Sequence, residues 1–443
     1  MCFTIATLQG TGARAQSVAP AGGERTLEDV LTSALAQHPL VEAAQARVAA
    51  AQGGRITART YPNPVGTLWL ENATLPGQRA APGVNRETST YFTLPLEPLF
   101  QRRPLMRAAD ERIKAARADV TGERREVALD TAHAFYRVAL AQVALDAAEE
   151  NRNALEELVT FNRNRVSAGA IPEVDLLRVE VELDRATTNV ALGRIDLVRT
   201  WAELRPFLGP SVPPVSALPS EGPVMVPRVR VPDGPAAASP MALSDLLARA
   251  REQRPEIVSA RARVAAAGAE TDYQRRLLVR HLGATFGFKQ VNGDSTMIAA
   301  VSVPVPMFDR NRGEIQRTTN EAIATGKELV WAERRIEAEV QGAYDAAQQL
   351  GAQTGARQRS TVDRAAEAHR ITVAAYQEGA SSLLQVLDAA RTLADTRLAY
   401  SRTLLTQQQS RFDLALAAGI EPLPSISILQ PAAVPPANGG ASR

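Results

Sequence analysis

Two hydrophobic periods alternate along the chain. Four short segments repeat every second residue: "PVGTLWLEN" (64–72), "TYFTLPLE" (90–97), "HLGATFGFKQV" (281–291) and "TMIAAVSVPVP" (296–306). Phe92, Leu94 and Leu96 fall on one face, as do Leu282, Ala284, Phe286 and Phe288, and Val301, Val303 and Val305. Tyr91, Thr93, Lys289 and Ser302 fall on the other. This predicts four strands with one apolar and one polar face, the pattern of a lipid-facing barrel. "NGDS" (292–295) predicts a hairpin turn between the last two, while 17 residues (73–89) join the first two.

Most of the remainder repeats at spacings of three and four and predicts helices. Residues 101–166 hold no break except Pro104 near the start and Gly122. At 1.5 Å per residue such a helix is about 100 Å long. Helices of that length need partners along their whole side, so a coiled-coil layer is expected, with Phe135, Val138, Val143 and Leu145 as knobs among alanines.

The pattern occurs twice. "TLEDVLTSALAQHPLVEAAQARVAAAQ" (26–52) matches "ALSDLLARAREQRPEIVSARARVAAAG" (242–268) at a constant offset of 216 residues. Leu94-Pro95 corresponds to Val303-Pro304, Tyr136 to Tyr344 and Gly169-Ala170 to Gly379-Ala380. The expected organisation is a signal-like or disordered N-terminus (1–25), a first repeat (26–205), a proline-rich linker (206–240), a second repeat (241–421) and a disordered tail (422–443). Ten prolines between Pro206 and Pro240 exclude helix from the linker.

Each repeat turns from strand to helix at prolines. Pro95 and Pro98 do this in the first, Pro304 and Pro306 in the second, because proline ends a hydrogen-bond ladder. Asp309 or Asn311 is expected to cap the second emerging helix, with Glu314 in its first turn.

Composition narrows the class. Aromatic residues make up 5% and the formal charge is +2. That suits thin alanine-packed helical layers and gives no broad basic surface for nucleic acid. One cysteine, Cys2, rules out an internal disulfide and thiolate metal clusters. No apolar run is long enough for a transmembrane helix, so a membrane could be crossed only by a closed barrel. Four strands cannot close one, and open edges are untenable in lipid. The barrel is therefore expected to be shared, with three copies giving twelve strands. The competing expectation is a four-stranded sheet capping a soluble bundle. "MCFTIATLQGTGARAQS" reads as a signal peptide cut after Ala13-Arg14-Ala15, or as a disordered tail.

At this level of detail the sequence resembles the TolC-type outer-membrane efflux proteins over about residues 26–421. "TLEDVLTSALAQHP", "YPNP" and "VSVPVPMFDRNRGEI" carry the likeness, as does "YQEGASSLLQVLDAARTLADTRLAYSRTL" (376–404). "YPNP…LEN" and "PVPMFDRNRG" are closest to the CzcC-like heavy-metal branch. The resemblance implies a fold that is mainly α with a small β part. A long α-helical coiled-coil barrel would join four transmembrane strands per chain in a trimeric, internally duplicated, 12-stranded assembly. It implies an exit duct of an RND-type tripartite efflux system in the outer membrane, with its helical body in the periplasm. Its expected partners are outer-membrane lipid, a periplasmic adaptor and an inner-membrane pump. It needs no cofactor, and its expected cargo is heavy-metal cations.

Two helix-to-helix turns, 165–180 and 376–391, would form the periplasmic end, and Ala168, Gly169, Ala170, Gly379, Ala380 and Ser381 would meet the adaptor. The family's constriction carboxylate falls on Asp388; its companion one turn earlier is replaced here by Gln385. An enzyme is not expected: His38, His133, His281 and His369 are scattered and no catalytic motif occurs. The alternatives are a duct for drugs or other organic compounds, and a periplasmic coiled-coil adaptor or scaffold without a pore.

Overall fold

A computed structural model describes residues 24–73, 77, 79, 83–209, 228–230, 241–277, 282–353 and 356–430. Residues 1–23, expected to be signal-like or disordered, His281 and most of the proline-rich linker lie outside these residues. Strand β1 (Arg25–Thr26) precedes helices α1 (Leu27–Gln37) and α2 (Pro39–Arg59). Strands β2 (Val65–Glu71) and β3 (Glu87–Pro95) lead into the 70-residue α3 (Pro98–Ser167), then α4 (Glu173–Leu204) and one 3-10 turn (Arg205–Leu208). After β4 (Val229–Arg230) the order recurs: α5 (Leu243–Gln253), α6 (Pro255–Arg276), β5 (Gly283–Val291), β6 (Asp294–Ser302), α7 (Arg312–Gln353), α8 (Ala356–Gln377) and α9 (Leu383–Ala417).

The chain forms two compact units, and neither follows a sequence half. One comprises residues 1–33, 131–234 and 357–405; the other 34–130, 235–356 and 406–443. The long α3 and α9 contribute to both, so the two predicted repeats are not the compact units.

In the second unit all four predicted strands form one antiparallel sheet, ordered β2-β3-β5-β6. Register decides the faces, because paired residues in an antiparallel sheet share a side. The rows Gly66–Phe92–Phe286–Ala299 and Leu68–Thr90–Phe288–Met297 lie on one face with Leu94, Ala284 and Val301. Phe92, Phe286, Phe288, Met297 and Val301 are all exposed there. The other face carries Thr93 and Thr285, whose hydroxyls are 3.0 Å apart, and the Glu87–Lys289 ion pair. Trp69 and Ile298 also lie on that side, so it is not purely polar. The β5–β6 hairpin turns on Asn292 (φ 51°) and Gly293 (φ 97°), both left-handed as a two-residue I′ turn requires. A Cβ on Gly287 would collide with Thr90 O and Tyr91 Cβ, which explains a glycine in mid-strand.

The last strand is shorter than its alternation predicts. It ends at Ser302, not 306, since Pro304 and Pro306 have no N–H for the ladder. Pro95 does close β3, opposite Gly283, and Pro98 is the first residue of α3. Asp309 Oδ1 accepts the Asn311 N–H at 2.9 Å. Asn311, at φ 55°, sends its Nδ2 to Gln274 O of α6 at 2.7 Å, anchoring the start of α7. Among the described residues no helix is long and apolar enough to cross a membrane.

The same unit holds a buried charge cluster. Arg254 is 1% exposed. It donates to both oxygens of Glu256 (2.9 and 3.0 Å), to both of Glu339 (3.1 and 3.0 Å) and to Ala417 O (2.8 Å). Arg125 joins it, paired with Glu339 and with Glu256 and donating to Leu416 O at 3.3 Å. Around this network pack Ile257, Ile336, Val340, Ala417 and Ala418. Burial opposes ionisation of Glu256, but the bonds and charges of Arg254 and the charge of Arg125 outweigh it and hold its carboxyl below the ordinary glutamate value.

The predicted tail is a second correction. Residues 422–430 are held by the fold: Ile428 is 0% exposed, Glu421 accepts the N–H groups of Ile428 and Leu429, and Arg124 donates to Ser427 O and Ile428 O. Proline content alone gives no hint of a buried isoleucine.

In the first unit β1 pairs in parallel with β4, the one described piece of the linker that is extended. Gln142 Oε1 accepts the Val229 N–H (3.1 Å) and Asp146 pairs with Arg228 (3.1 Å), laying that piece on α3. Phe135, Val138 and Leu145 are buried as expected; Val143 is half-buried.

Glu339→Gln is expected to leave two buried guanidiniums short of charge and to destabilise the protein by about 3 kcal/mol, read from thermal unfolding. The contribution of Glu256 is fully present above its unfolded pKa. It should fade only as pH falls through its lower folded value, so acid titration of the wild-type melt should show a late loss.

The paired helical turns

The first unit's two helix-to-helix turns are built alike. Gly169 (φ 70°) donates to Val166 O at 2.8 Å, and Ala170 to Arg165 O at 2.8 Å. Gly379 (φ 80°) donates to Tyr376 O at 3.1 Å, and Ala380 to Ala375 O at 2.7 Å. Both are Schellman closures, in which a left-handed residue lets the last carbonyls of a helix be satisfied, and glycine adopts that conformation without strain. The restart differs. Pro172 precedes α4 without a side-chain cap, while Glu173 and Asp175 sit in its first turn. Before α9 stands a capping box: Gln385 Oε1 accepts the Ser382 N–H (2.9 Å), and Ser382 Oγ accepts the Gln385 N–H (3.4 Å).

Of the six expected tip residues, Ala168, Gly169, Ala170, Gly379 and Ala380 are exposed. Ser381 is half-buried and donates its hydroxyl to Thr372 O at 3.2 Å, so it braces the turn from within.

The four helices that carry these turns share one core: Leu155 and Val159 of α3, Val179 and Ala186 of α4, Tyr376 of α8, and Leu383, Val386 and Leu387 of α9. A polar contact sits inside it. Tyr376 donates its hydroxyl to Asn162 Oδ1 at 2.7 Å, and both residues are buried. Asn162 Nδ2 has no partner, which makes that bond costly to lose. Phe161 meets the Tyr376 ring edge-on at 6.1 Å, and the Arg165 guanidinium lies 5.5 Å from both rings. This cross-link joins α3 and α8 across 214 residues, and its one local signal is an asparagine at position 162 of the Leu155/Val159 stripe, of the kind that fixes helix register.

Asp388 lies exposed on α9, one turn beyond the cap. Three residues further, Arg391 is drawn to Glu182 of α4 at 2.5 Å, and Glu182 also pairs with Arg185 at 2.9 Å. The bond and charge of Glu182, with the charge of Asp388, raise the Arg391 pKa. The local field of Asp388 is thus shared with a cation held in place by α4. Among the described residues no group of three or more His, Cys, Asp or Glu side chains could hold a metal ion.

Comparison with known proteins places this architecture. The pattern of the family "Outer membrane efflux protein" matches residues 30–210 and 246–420. The chain is 25% identical over 395 residues to the cobalt-zinc-cadmium resistance protein CzcC of Cupriavidus metallidurans, covering 86% of each chain. It is 33% identical over 191 residues to the pyoverdine export outer membrane protein OpmQ of Pseudomonas putida, 40% of this chain and 38% of that one. Its fold is similar to that of the outer-membrane channel OprN, with a TM-score of 0.71 at 18% identity, over 89% of this chain and 90% of the other.

Tyr376→Phe is expected to leave the Asn162 side chain unpaired and cost about 1–3 kcal/mol. Gly379→Ala would cost about 1 kcal/mol through its left-handed backbone alone. Both are read from thermal melts, and helix content should not change.

Proposed function

The chain belongs to the outer membrane efflux protein family, and on that premise we propose that it is the exit duct of a tripartite pump, built from three copies. It is an outer-membrane efflux channel and not an enzyme, with a helical body in the periplasm. The observation that carries the proposal is the open sheet. Strands β2 and β6 are its edges, and its exposed face is apolar. In lipid each unpaired backbone group costs several kcal/mol. Joining β6 of one copy to β2 of the next removes both edges, and three copies give twelve strands. The helical body makes the same demand: α4 buries Val179, Ala186, Val190 and Leu197 on one face, while Val174, Leu177, Val181, Leu192 and Ile195, each more than half exposed, run along the other. A second copy is the partner that stripe fits. The matched halves of the sequence support an internal duplication, which would make the ring of helices quasi-sixfold.

The exposed turns at 168–170 and 379–380 are the surfaces for a periplasmic adaptor, which would link the duct to an inner-membrane RND-type pump. Asp388 would give a ring of three carboxylates at the constriction, each tempered by Arg391; Gln385 is occupied by the cap of α9. Heavy-metal cations are the proposed cargo, on the strength of the near-complete overlap with the cobalt-zinc-cadmium resistance protein. Organic cargo is the second reading, favoured by the higher identity to the pyoverdine exporter over a shorter stretch.

Deleting the gene should sensitise cells selectively to cobalt, zinc or cadmium salts, with growth restored by the gene. Sensitivity confined to organic compounds would move the cargo to the second reading. In planar bilayers Asp388→Asn should lower cation selectivity and Arg391→Gln should raise it, measured as reversal potentials in a salt gradient.

A further inference from the structure

The strand-to-helix boundary carries a set of cations that the duct proposal does not use. Arg59 is the last residue of α2, before β2, and Arg275 lies in the last turn of α6, before β5. They stand 216 residues apart, the offset of the sequence repeat. Arg103 lies in the first turns of α3, after β3, and Arg312 opens α7, after β6. They correspond when Leu94-Pro95 is matched with Val303-Pro304. All four are exposed.

Internal hydrogen bonds hold three of these four ends together. Arg276 donates to Phe100 O at 3.0 Å, Gln101 to Arg276 O at 3.4 Å, and Asn311 to Gln274 O at 2.7 Å. The beginnings of α3 and α7 are thereby tied to the last turn of α6, beside the sheet end marked by the row Pro95–Gly283–Ser302.

An apolar residue precedes each of the later pair by four positions: Leu99 before Arg103 and Phe308 before Arg312. Both are exposed, Phe308 at 98%. Leu99 and Arg103 lie in α3 about one turn of 5.4 Å apart, Phe308 lies in the irregular stretch just before α7, and each headgroup layer is about 5–8 Å thick. An apolar side chain at the hydrocarbon edge would therefore set an arginine among the phosphates.

The nearby carboxylates do not neutralise the set. Asp272 lies 3.9 Å from Arg275, Asp309 accepts the Asn311 N–H, and Glu314 pairs with Arg317. Glu97 is the remaining acid at this level. Among the described residues Arg59, Arg103 and Arg312 have no carboxylate partner. A seam between copies would call for such cations at one edge of the chain. Here they recur in both repeats, as a continuous surface around a ring would require.

We propose that Arg59, Arg103, Arg275 and Arg312 form a collar that binds the phosphates of phospholipid headgroups at the strand-to-helix boundary. The inference rests on the membrane-barrel reading above. Guanidinium suits it because its planar fork donates two parallel bonds to a phosphate. The collar fixes the depth at which the barrel sits and prefers anionic over zwitterionic lipid.

The test uses the full chain reconstituted into vesicles of equal parts phosphatidylglycerol and phosphatidylcholine. Spin-labelled versions of each lipid report the motionally restricted fraction at the protein surface. Wild type should favour phosphatidylglycerol by about fivefold, and raised salt should weaken this. The combined Arg59→Gln, Arg103→Gln, Arg275→Gln and Arg312→Gln variant should fall to near parity. The four Arg→Lys changes should keep most of the preference. Arg163→Gln with Arg199→Gln, exposed arginines outside the collar, should change nothing. Inorganic phosphate at matched ionic strength should not displace the lipid; displacement would identify a free-anion site and overturn the collar. A wild type without preference, or a four-Gln variant that retains it while inserting normally, would also overturn it. Failure of the wild type to insert would instead defeat the membrane placement, and the collar with it.

Discussion

A backbone N–H or C=O facing hydrocarbon has nothing else to bond, and that constraint shapes the rest of the molecule. The sheet β2-β3-β5-β6 satisfies its interior ladders within one chain and leaves its two edges open. In the proposed barrel other copies would close them, so that secondary structure would carry the demand for quaternary structure. The same demand explains the ends of the strands. Pro95 is the last residue of β3, and Pro304 and Pro306 follow β6. After Pro95 the helix α3 begins within three residues, whereas residues 303–311 pass irregularly from β6 to α7.

In the helices of each unit, stability comes from apolar packing pinned at a few polar points. Arg254, Glu256, Glu339 and Arg125 share a buried network in one unit, and Tyr376 with Asn162 does comparable work in the other. Such contacts add little net stability when every group is paired, but they are costly to break. They select one arrangement among the many that smooth alanine-rich helices could adopt. A duct gains from that specificity.

Much of this was legible in the sequence. Phe286 and Phe288 against Thr285 and Lys289 announce a two-faced strand, and the register places them as the alternation requires. Gly169 and Gly379 mark their turns because only a left-handed residue closes those helices. What failed was non-local or ambiguous. Val303 and Val305 alternate like a strand, yet Pro304 and Pro306 remove the ladder. Ile428 lies in a proline-flanked stretch, and nothing nearby says that Glu421 and Arg124 hold it. Arg254 reads as an ordinary surface arginine until α3, α7 and the end of α9 gather round it. Gln385 stands at the family's constriction position, yet the fold uses the simpler local signal, serine with glutamine three residues on.

The most direct measurement is a cysteine cross-link across the shared seam. With Cys2 replaced by serine, single cysteines would be scanned along β2 (Val65–Glu71) and paired with cysteines along β6 (Asp294–Ser302). Oxidation in the membrane should give covalent dimers and trimers on denaturing gels for one register of pairs, and nothing larger. If every register yields only monomer while the protein is inserted and folded, the edges do not meet between copies and the shared barrel is wrong.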